Sequence, residues 1–397
     1  MTSDIETTVW RALDGFVIEI PSWGFADTGT RFGKFHQPAA AVTLEEKFHD
    51  AGVVHRLTAA SPTMAIHVQW DLSPQQRPQD IAALAKSHGV GVGSINPNVF
   101  QDPCYKFGSF CSPDADARRS AREHLAECIT LGAQCGSQCL SIWLGDGTNY
   151  PGQDHLRRRK RDLQAALRDI HQQLDRDWPA AALLVEYKPF EPAFYHTDIA
   201  DWGMSYVFCK AAGEKARVLI DTGHHLPGCN IEHIVAFLLD EGMLGGFHFN
   251  DRKYADDDLT IGSIDPYAVF RIFDQIAQFE FETGARAPIA YTIDQSHNLK
   301  PKLEATVQTV CEAQKLFAKA HCVDRKALAA AQANTDVVGA ETVLRAAYET
   351  DVTPLLHQWR RNRGVPLDPL AELRSSGLIE RLGRQREAAR ERRHGSP

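Results

Sequence analysis

Residues able to hold a metal ion gather in one block of this chain, GGFHFNDRKYADDDLTIGS (245–263). An apolar, strand-like run there carries His248 and is followed by Asp256, Asp257 and Asp258. Three adjacent carboxylates repel one another, and folding alone gives no reason to place them beside an apolar strand. Other polar residues stand at the ends of three further apolar runs: Glu186 and Lys188 in ALLVEYK (182–188), Asp221 and His224 in RVLIDTGHH (217–225), and Asp294 in APIAYTID (287–294). Each has a plain alternative as a helix cap, a hydrogen-bonded core histidine or a turn residue. Their joint arrival at the ends of four consecutive runs favours a shared task. Converging carboxylates raise each other's pKa, and a divalent cation removes that cost. Hard oxygen ligands with one or two imidazoles suit Mn²⁺ first, with Co²⁺ or Mg²⁺ as alternatives. The absence of thiolates from the set argues against structural zinc. If the acidic loop is extended, Asp256 and Asp258 point the same way and Asp257 points away. The set then divides into one ion at Glu186, Asp221, His248 and Asp294, and a second at His224, Asp256 and Asp258 that shares Asp221.

These residues need a scaffold that brings strand ends together. Eight short β-rich runs recur: 15–20, 63–70, 91–96, 139–145, 182–187, 217–223, 245–250 and 287–294. Amphipathic helical stretches separate them, including 117–134, 155–177, 230–243 and 265–279, the last two opened by the capping residues Asn230 and Asp265. Strand–helix alternation implies parallel βαβ units, and eight of them imply an α/β fold of the (β/α)8 TIM-barrel type. A doubly wound open sheet is the other reading, but no glycine-rich phosphate fingerprint follows the first strand. In a TIM barrel the site lies at the C-terminal ends of the strands, where the candidate ligands stand. After residue 300 only helical patterns continue. The expected organisation is a catalytic barrel over 1–300 and a helical extension over 301–397, whose tail from Leu356 holds ten arginines against five acids.

The 397 residues, 43% hydrophobic and 24% charged with net charge −8, describe a globular protein with no global affinity for nucleic acid or anionic membrane. No apolar run is long enough to span a bilayer, and the acidic start MTSDIETTVWRALDG does not read as a secretory leader. The nine cysteines are therefore expected as reduced thiols in the cytoplasm, with Cys135 and Cys139 as buried structural thiols rather than a zinc site. The basic run RRRKR (157–161) is expected as the solvated face of a helix.

The pieces VEYKPFEP, LIDTGHH, GFHFNDRKYADDDLTIGS and IDQSHNLKPK, with IPSWGF, GTRFGKF, HVQWD and NPNVFQD upstream, resemble the metal-dependent aldose–ketose isomerases of the xylose-isomerase-like barrel. Within them the chain is most similar to the L-rhamnose isomerases of the broad-specificity pseudomonad type. The resemblance runs from about Trp10 into the C-terminal helices, and all seven expected ligands are present. It implies two divalent cations per subunit, a small sugar substrate and a homotetramer. It also implies that Asp294, His67, Lys188 and Asp256 serve catalysis. His67 would open the sugar ring with Asp294, Lys188 would polarise the developing charge on O1, and Asp256 would act through the second ion, which activates a bound water. Trp23 and Trp143 would wall the sugar together with His67 and Lys188, and Phe32 would reach a neighbouring subunit's site. L-Rhamnose to L-rhamnulose is the implied reaction, with D-allose and L-mannose as related substrates. A sugar epimerase or a metal-dependent endonuclease on the same barrel remains the alternative, as does a binding protein with a degenerate site.

Overall fold

The computed structural model describes residues 3–27, 35–73, 76–191 and 195–394. Eight parallel strands close into a barrel: β1 (Ile18–Pro21), β2 (Thr63–His67), β3 (Gly91–Asn96), β4 (Cys139–Ile142), β5 (Ala182–Glu186), β6 (Ala216–Asp221), β7 (Leu244–Phe249) and β8 (Ala290–Ile293). All eight fall on predicted runs, and β8 returns to β1 through Ile18 opposite Tyr291 and Glu19 opposite Thr292. The predicted second strand ends early. The chain leaves β2 at His67 and turns into a one-turn helix, Val68–Asp71, so His67 is a strand-end residue, where the sequence suggests one in mid-strand.

Side-chain parity explains what the barrel does with these strands. Successive residues point to opposite faces. Ile18, Ile20, Ile142, Val185, Ile220 and Phe249 are buried in the apolar core. The alternate residues Glu186, Asp221, His248 and Asp294 share the other parity. Phe247 and Phe249 stack at 4.7 Å, and Phe249 packs against Phe273 of the helix Pro266–Thr283, which assigns the apolar parity to the helix layer. Asn230 and Asp265 cap their helices as predicted, accepting from the His233 amide at 3.0 Å and the Ala268 amide at 2.8 Å.

The helix Lys302–Ala320, which the sequence pattern groups with the extension, packs between the helices Pro266–Thr283 and Leu44–Thr58 and so fills the eighth helix position. Five shorter helices follow, from Arg325–Ala333 to Leu378–His394. They are tied to the barrel by polar contacts, among them the buried pair of Arg325 with Asp274 at 2.6 Å and the Trp359 indole to the exposed Asp14 at 2.8 Å. The basic run departs from expectation in one residue. Arg159 turns inward, buried between Asp198 at 2.7 Å and Asp154 at 2.9 Å, while Arg157, Lys160 and Arg161 stay exposed. All nine cysteines are free; Cys135 and Cys139 are half-buried where the sequence suggests buried thiols, and Cys104 and Cys229 are exposed. Among the described residues no helix is long and apolar enough to cross a membrane.

The arginine-rich tail has a defined place. Arg386, 3% exposed, forms a two-pronged pair with Asp50 at 2.7 and 2.8 Å, and it also donates to the carbonyls of Ala39 and Glu46. One turn on, Arg390 donates to the carbonyls of Pro38 and Ala40 at 3.1 and 2.7 Å. The last helix thus clips the segment after β1 to the helix Leu44–Thr58. Removing one partner of a buried pair leaves the other charge stranded, which costs about 3–5 kcal/mol. Arg386→Ala should therefore lower unfolding free energy by that amount in denaturant titrations, whereas Arg384→Ala, at an exposed position of the same helix, should change it by less than about 0.5 kcal/mol.

Candidate metal centre

Strand register brings the candidate ligands to one rim. Asp221, at the end of β6, lies opposite His248 of β7. Glu186 ends β5, and the Asp294 amide continues the β8 ladder onto the Phe249 carbonyl at 3.0 Å. Glu186, Asp221, His248 and Asp294 each offer an atom within 4.8 Å of the others, and Asp221, His224 and Asp256 do the same. The two clusters share Asp221, as in the division expected from the sequence, but the second holds His224 and Asp256 without Asp258.

The distances are those of lone pairs turned toward a common space. His248 Nδ1 lies 3.2 Å from Glu186 and 3.5 Å from Asp294, and His224 Nε2 lies 3.2 Å from Asp256 and 3.9 Å from Asp221. Yet His248 Nδ1 and the Asp256 Oδ1 are buried with no hydrogen-bond partner. Close approach without hydrogen-bond direction leaves both atoms in need of a ligand. His224 Nδ1 lies 3.1 Å from the Tyr187 carbonyl, so a proton held there leaves Nε2 as the lone pair facing Asp221 and Asp256.

The electrostatics carry the same demand. Burial and the neighbouring carboxylates push Asp221 up to about 7 and raise Asp258 and Asp294. His248 is held up at about 9 and His224 is also raised, because adjacent carboxylates outweigh burial that would lower both. Against burial, the imidazolium charges of His248 and His224 hold Glu186 down to about 2. Without a cation these acids must share protons with two histidines. A divalent ion would replace those protons and satisfy the stranded atoms, and the donor set fits one.

Asp258 stands apart. It belongs to neither cluster, although the charges of Asp256, Asp294 and Asp221 raise its pKa. Its φ of 50° is left-handed, so the acidic loop is not the extended segment that would align Asp256 with Asp258. Asp257 does turn elsewhere, accepting from the Lys253 and Tyr254 amides at 2.6 and 2.8 Å. Lys188 reaches the site, with its ammonium 2.6 Å from Asp256 and 2.8 Å from Glu191, and these acids raise its pKa against burial. A cavity of about 10 Å³, room for one water molecule, lies between Lys188, His224 and Asp256.

The expected sugar walls are aromatic, and one is also polar. The Trp23 indole donates to Asp294 at 2.8 Å and stands edge-on to His67 at 6.1 Å. His67 lies flat on Trp70 with centroids 3.4 Å apart, and its backbone amide donates to Asp71 at 2.7 Å. Trp143 meets Phe100 edge-on at 4.6 Å. Phe32 falls outside the described residues. Sequence reasoning missed Trp70, Phe100 and Glu191. The first two lie just past the ends of β2 and β3, and Glu191 lies three residues after Lys188, so listing every aromatic beyond a strand end would have found the pair.

Two other features do not compete. Cys111, Asp146 and Asp198 cluster, but Asp146 accepts from the Ser109 and Cys111 amides and Arg159 neutralises Asp198. A groove of about 750 Å³ beside the helix Trp202–Ala212 is lined by none of the candidate ligands.

Comparison with known proteins places the barrel in a family. Residues 58–286 match the family described as xylose isomerase-like TIM barrel. The chain belongs to that family. It is 40% identical over 381 residues to a protein of Mesorhizobium japonicum named "probable sugar isomerase", covering 95% of this chain and 87% of that one. A protein of the same description in Rhizobium meliloti is 38% identical over 379 residues, covering 94% and 86%. Among solved structures, an L-ribulose 3-epimerase superposes with a TM-score of 0.51 at 15% identity over 83% of this chain and 96% of its own, a likeness of fold. In this xylose isomerase-like barrel, then, the clusters sit at the strand ends where TIM barrels carry their active sites.

His67 supplies a pH test. Burial pushes its pKa down to about 3, so it is neutral in the folded protein, while the unfolded chain titrates near 6.5. Between those values the unfolded state binds the extra proton, so stability present above pH 6.5 should be lost as pH falls toward 3. Denaturant titrations from pH 7 to pH 4 should show a smaller loss in His67→Gln than in the parent.

Proposed function

We propose that this protein is a divalent-metal-dependent aldose–ketose isomerase acting on L-rhamnose to give L-rhamnulose, with D-allose and L-mannose as related substrates. The observation that carries the metal reading is the pair of clusters sharing Asp221, with His248 Nδ1 and Asp256 Oδ1 buried and unbonded. The sugar reading rests on the relatives named as sugar isomerases and on the sequence blocks that resemble L-rhamnose isomerases. Glu186, Asp221, His248 and Asp294 would hold one ion, and His224 and Asp256, sharing Asp221, the other, with Asp258 beside them as the further acid that the sequence suggests. Bound there, divalent cations supply Lewis acidity toward sugar oxygens and neutralise the crowded carboxylates. Mn²⁺ is the first choice, with Co²⁺ or Mg²⁺ next.

The chain's own groups have distinct tasks. The isomerisation moves a hydride from C2 to C1, removes a proton from O2 and places one on O1. Lys188, held by Asp256 and Glu191, presents positive charge to the oxygen that becomes negative. His67 is neutral with Nδ1 unbonded, so it can hold or release a proton at the ring oxygen during opening. Trp23 keeps Asp294 in one orientation through its indole N–H. Trp23, Trp70, Phe100 and Trp143 line the sugar side and exclude water. Phe32 would close the site from a neighbouring subunit in a homotetramer.

The decisive experiment is an aldose panel under saturating Mn²⁺ with chelated controls. L-Rhamnose should be converted fastest, EDTA should abolish conversion, and Mn²⁺ should restore it. Conversion that survives complete chelation would overturn the metal reading, and a ketose turned into its C3 epimer without aldose would identify an epimerase instead. Asp256→Asn should lower turnover by about 10- to 100-fold or more while the fold persists, because it weakens a ligand that Lys188 and His224 both touch. Asp257→Asn keeps an oxygen for the Lys253 and Tyr254 amides, so its turnover should match the parent.

A further inference from the structure

Asp221 is the residue the two clusters share, and one of its oxygens is already occupied. Oδ1 accepts from the Gly223 amide at 2.7 Å and from the Asn250 side-chain amide at 3.0 Å. Oδ2 also accepts from the same Asn250 nitrogen, at the longer distance of 3.3 Å, and lies 3.9 Å from His224 Nε2, on the side of the second cluster. Asn250 follows β7 with the same parity as His248 and is 1% exposed.

The main chain of Asn250 does separate work. Its amide donates to Thr222 Oγ at 3.0 Å, and its carbonyl accepts from that hydroxyl at 2.8 Å. Those contacts join the ends of β6 and β7 without the side chain. The side-chain amide is left to face Asp221, and only a residue without a Cβ lets it come so close. A Cβ on Gly223 would lie 2.5 Å from Asn250 Oδ1 and 3.2 Å from its nitrogen, inside contact distance.

We infer that Asn250, seated against Gly223, is a positioning residue that occupies Oδ1 of Asp221 and turns Oδ2 toward both cation positions. A carboxylate free to rotate could chelate one ion with both oxygens and leave the other ion short of a ligand. Two donors on Oδ1, against one longer contact on Oδ2, oppose that rotation and would leave Oδ2 the freer oxygen to serve a cation. This rests on the two-ion reading of the site. The sequence carries a faint signal for it, since Asn250 lies two residues beyond a proposed ligand on an inward-facing strand.

The test is Mn²⁺ titration of the full-length chain by calorimetry, with circular dichroism and thermal melts confirming each variant's fold. The parent should bind two Mn²⁺. Asn250→Asp, which keeps the shape but removes the donor, and Asn250→Ala should each weaken Mn²⁺ binding by about 10- to 100-fold. Gly223→Ala should shift affinity in the same direction by displacing the amide. In an Asp221→Ala background the Asn250 changes should add less than about twofold, because they act through the missing carboxylate. A folded Asn250→Ala protein with parental affinity would overturn the inference and leave the two-ion reading standing. Equal weakening with and without Asp221 would also overturn it, as the mark of a merely structural residue. A parent that binds no Mn²⁺ would instead sink the proposed function, and this inference with it.

Discussion

Crowding of negative charge in a buried place is the constraint on which the site depends. Glu186, Asp221, Asp256 and Asp294 approach two histidines at the barrel rim, and burial penalises every ionised form among them. A protein can tolerate that arrangement by keeping the acids protonated or by supplying positive charge. The two imidazoles and Lys188 supply part of it. Two buried atoms still lack partners, and that remaining demand is what a cation of hard character meets.

The barrel delivers the crowding because its strands are parallel and in fixed register. Parity sends Glu186, Asp221, His248 and Asp294 to one face of the sheet and their apolar neighbours to the other. A one-residue slip of β7 against β6 would bury Phe247 or Phe249 in the site and push His248 into the helix layer. The hydrophobic packing of the helix layer and the chemistry of the rim are thus enforced by the same register.

The chain beyond the barrel has a related office. Arg386 and Arg390 hold the segment after β1 by its carbonyls, and Gln37 in that segment donates to the carbonyls of Asn298 and Lys300 in the loop after β8. The last helix is therefore linked, through backbone contacts, to the loops on either side of Trp23 and Asp294. The basic tail, which reads from its sequence as a helical extension, is a brace for the mouth of the barrel.

Much of this was legible without coordinates, for a physical reason. Periodicity and strand-end polarity are local properties, so the eight strands, the two helix caps and the gathering of six of the seven candidate ligands at one rim were legible from spacing. Local pattern failed where distant segments decide. Nothing near Arg386 predicts Asp50, nothing near Arg159 predicts Asp198, and the helix Lys302–Ala320 belongs to the barrel only because two other helices flank it. The left-handed turn at Asp258 and the donation from Trp23 to Asp294 likewise arise from loops meeting across the rim. The sequence by itself determined which residue types would converge, because alternation along a strand is dictated by backbone geometry. Tertiary structure alone decided which oxygen and which nitrogen face inward, because that depends on hydrogen bonds between residues far apart in the chain.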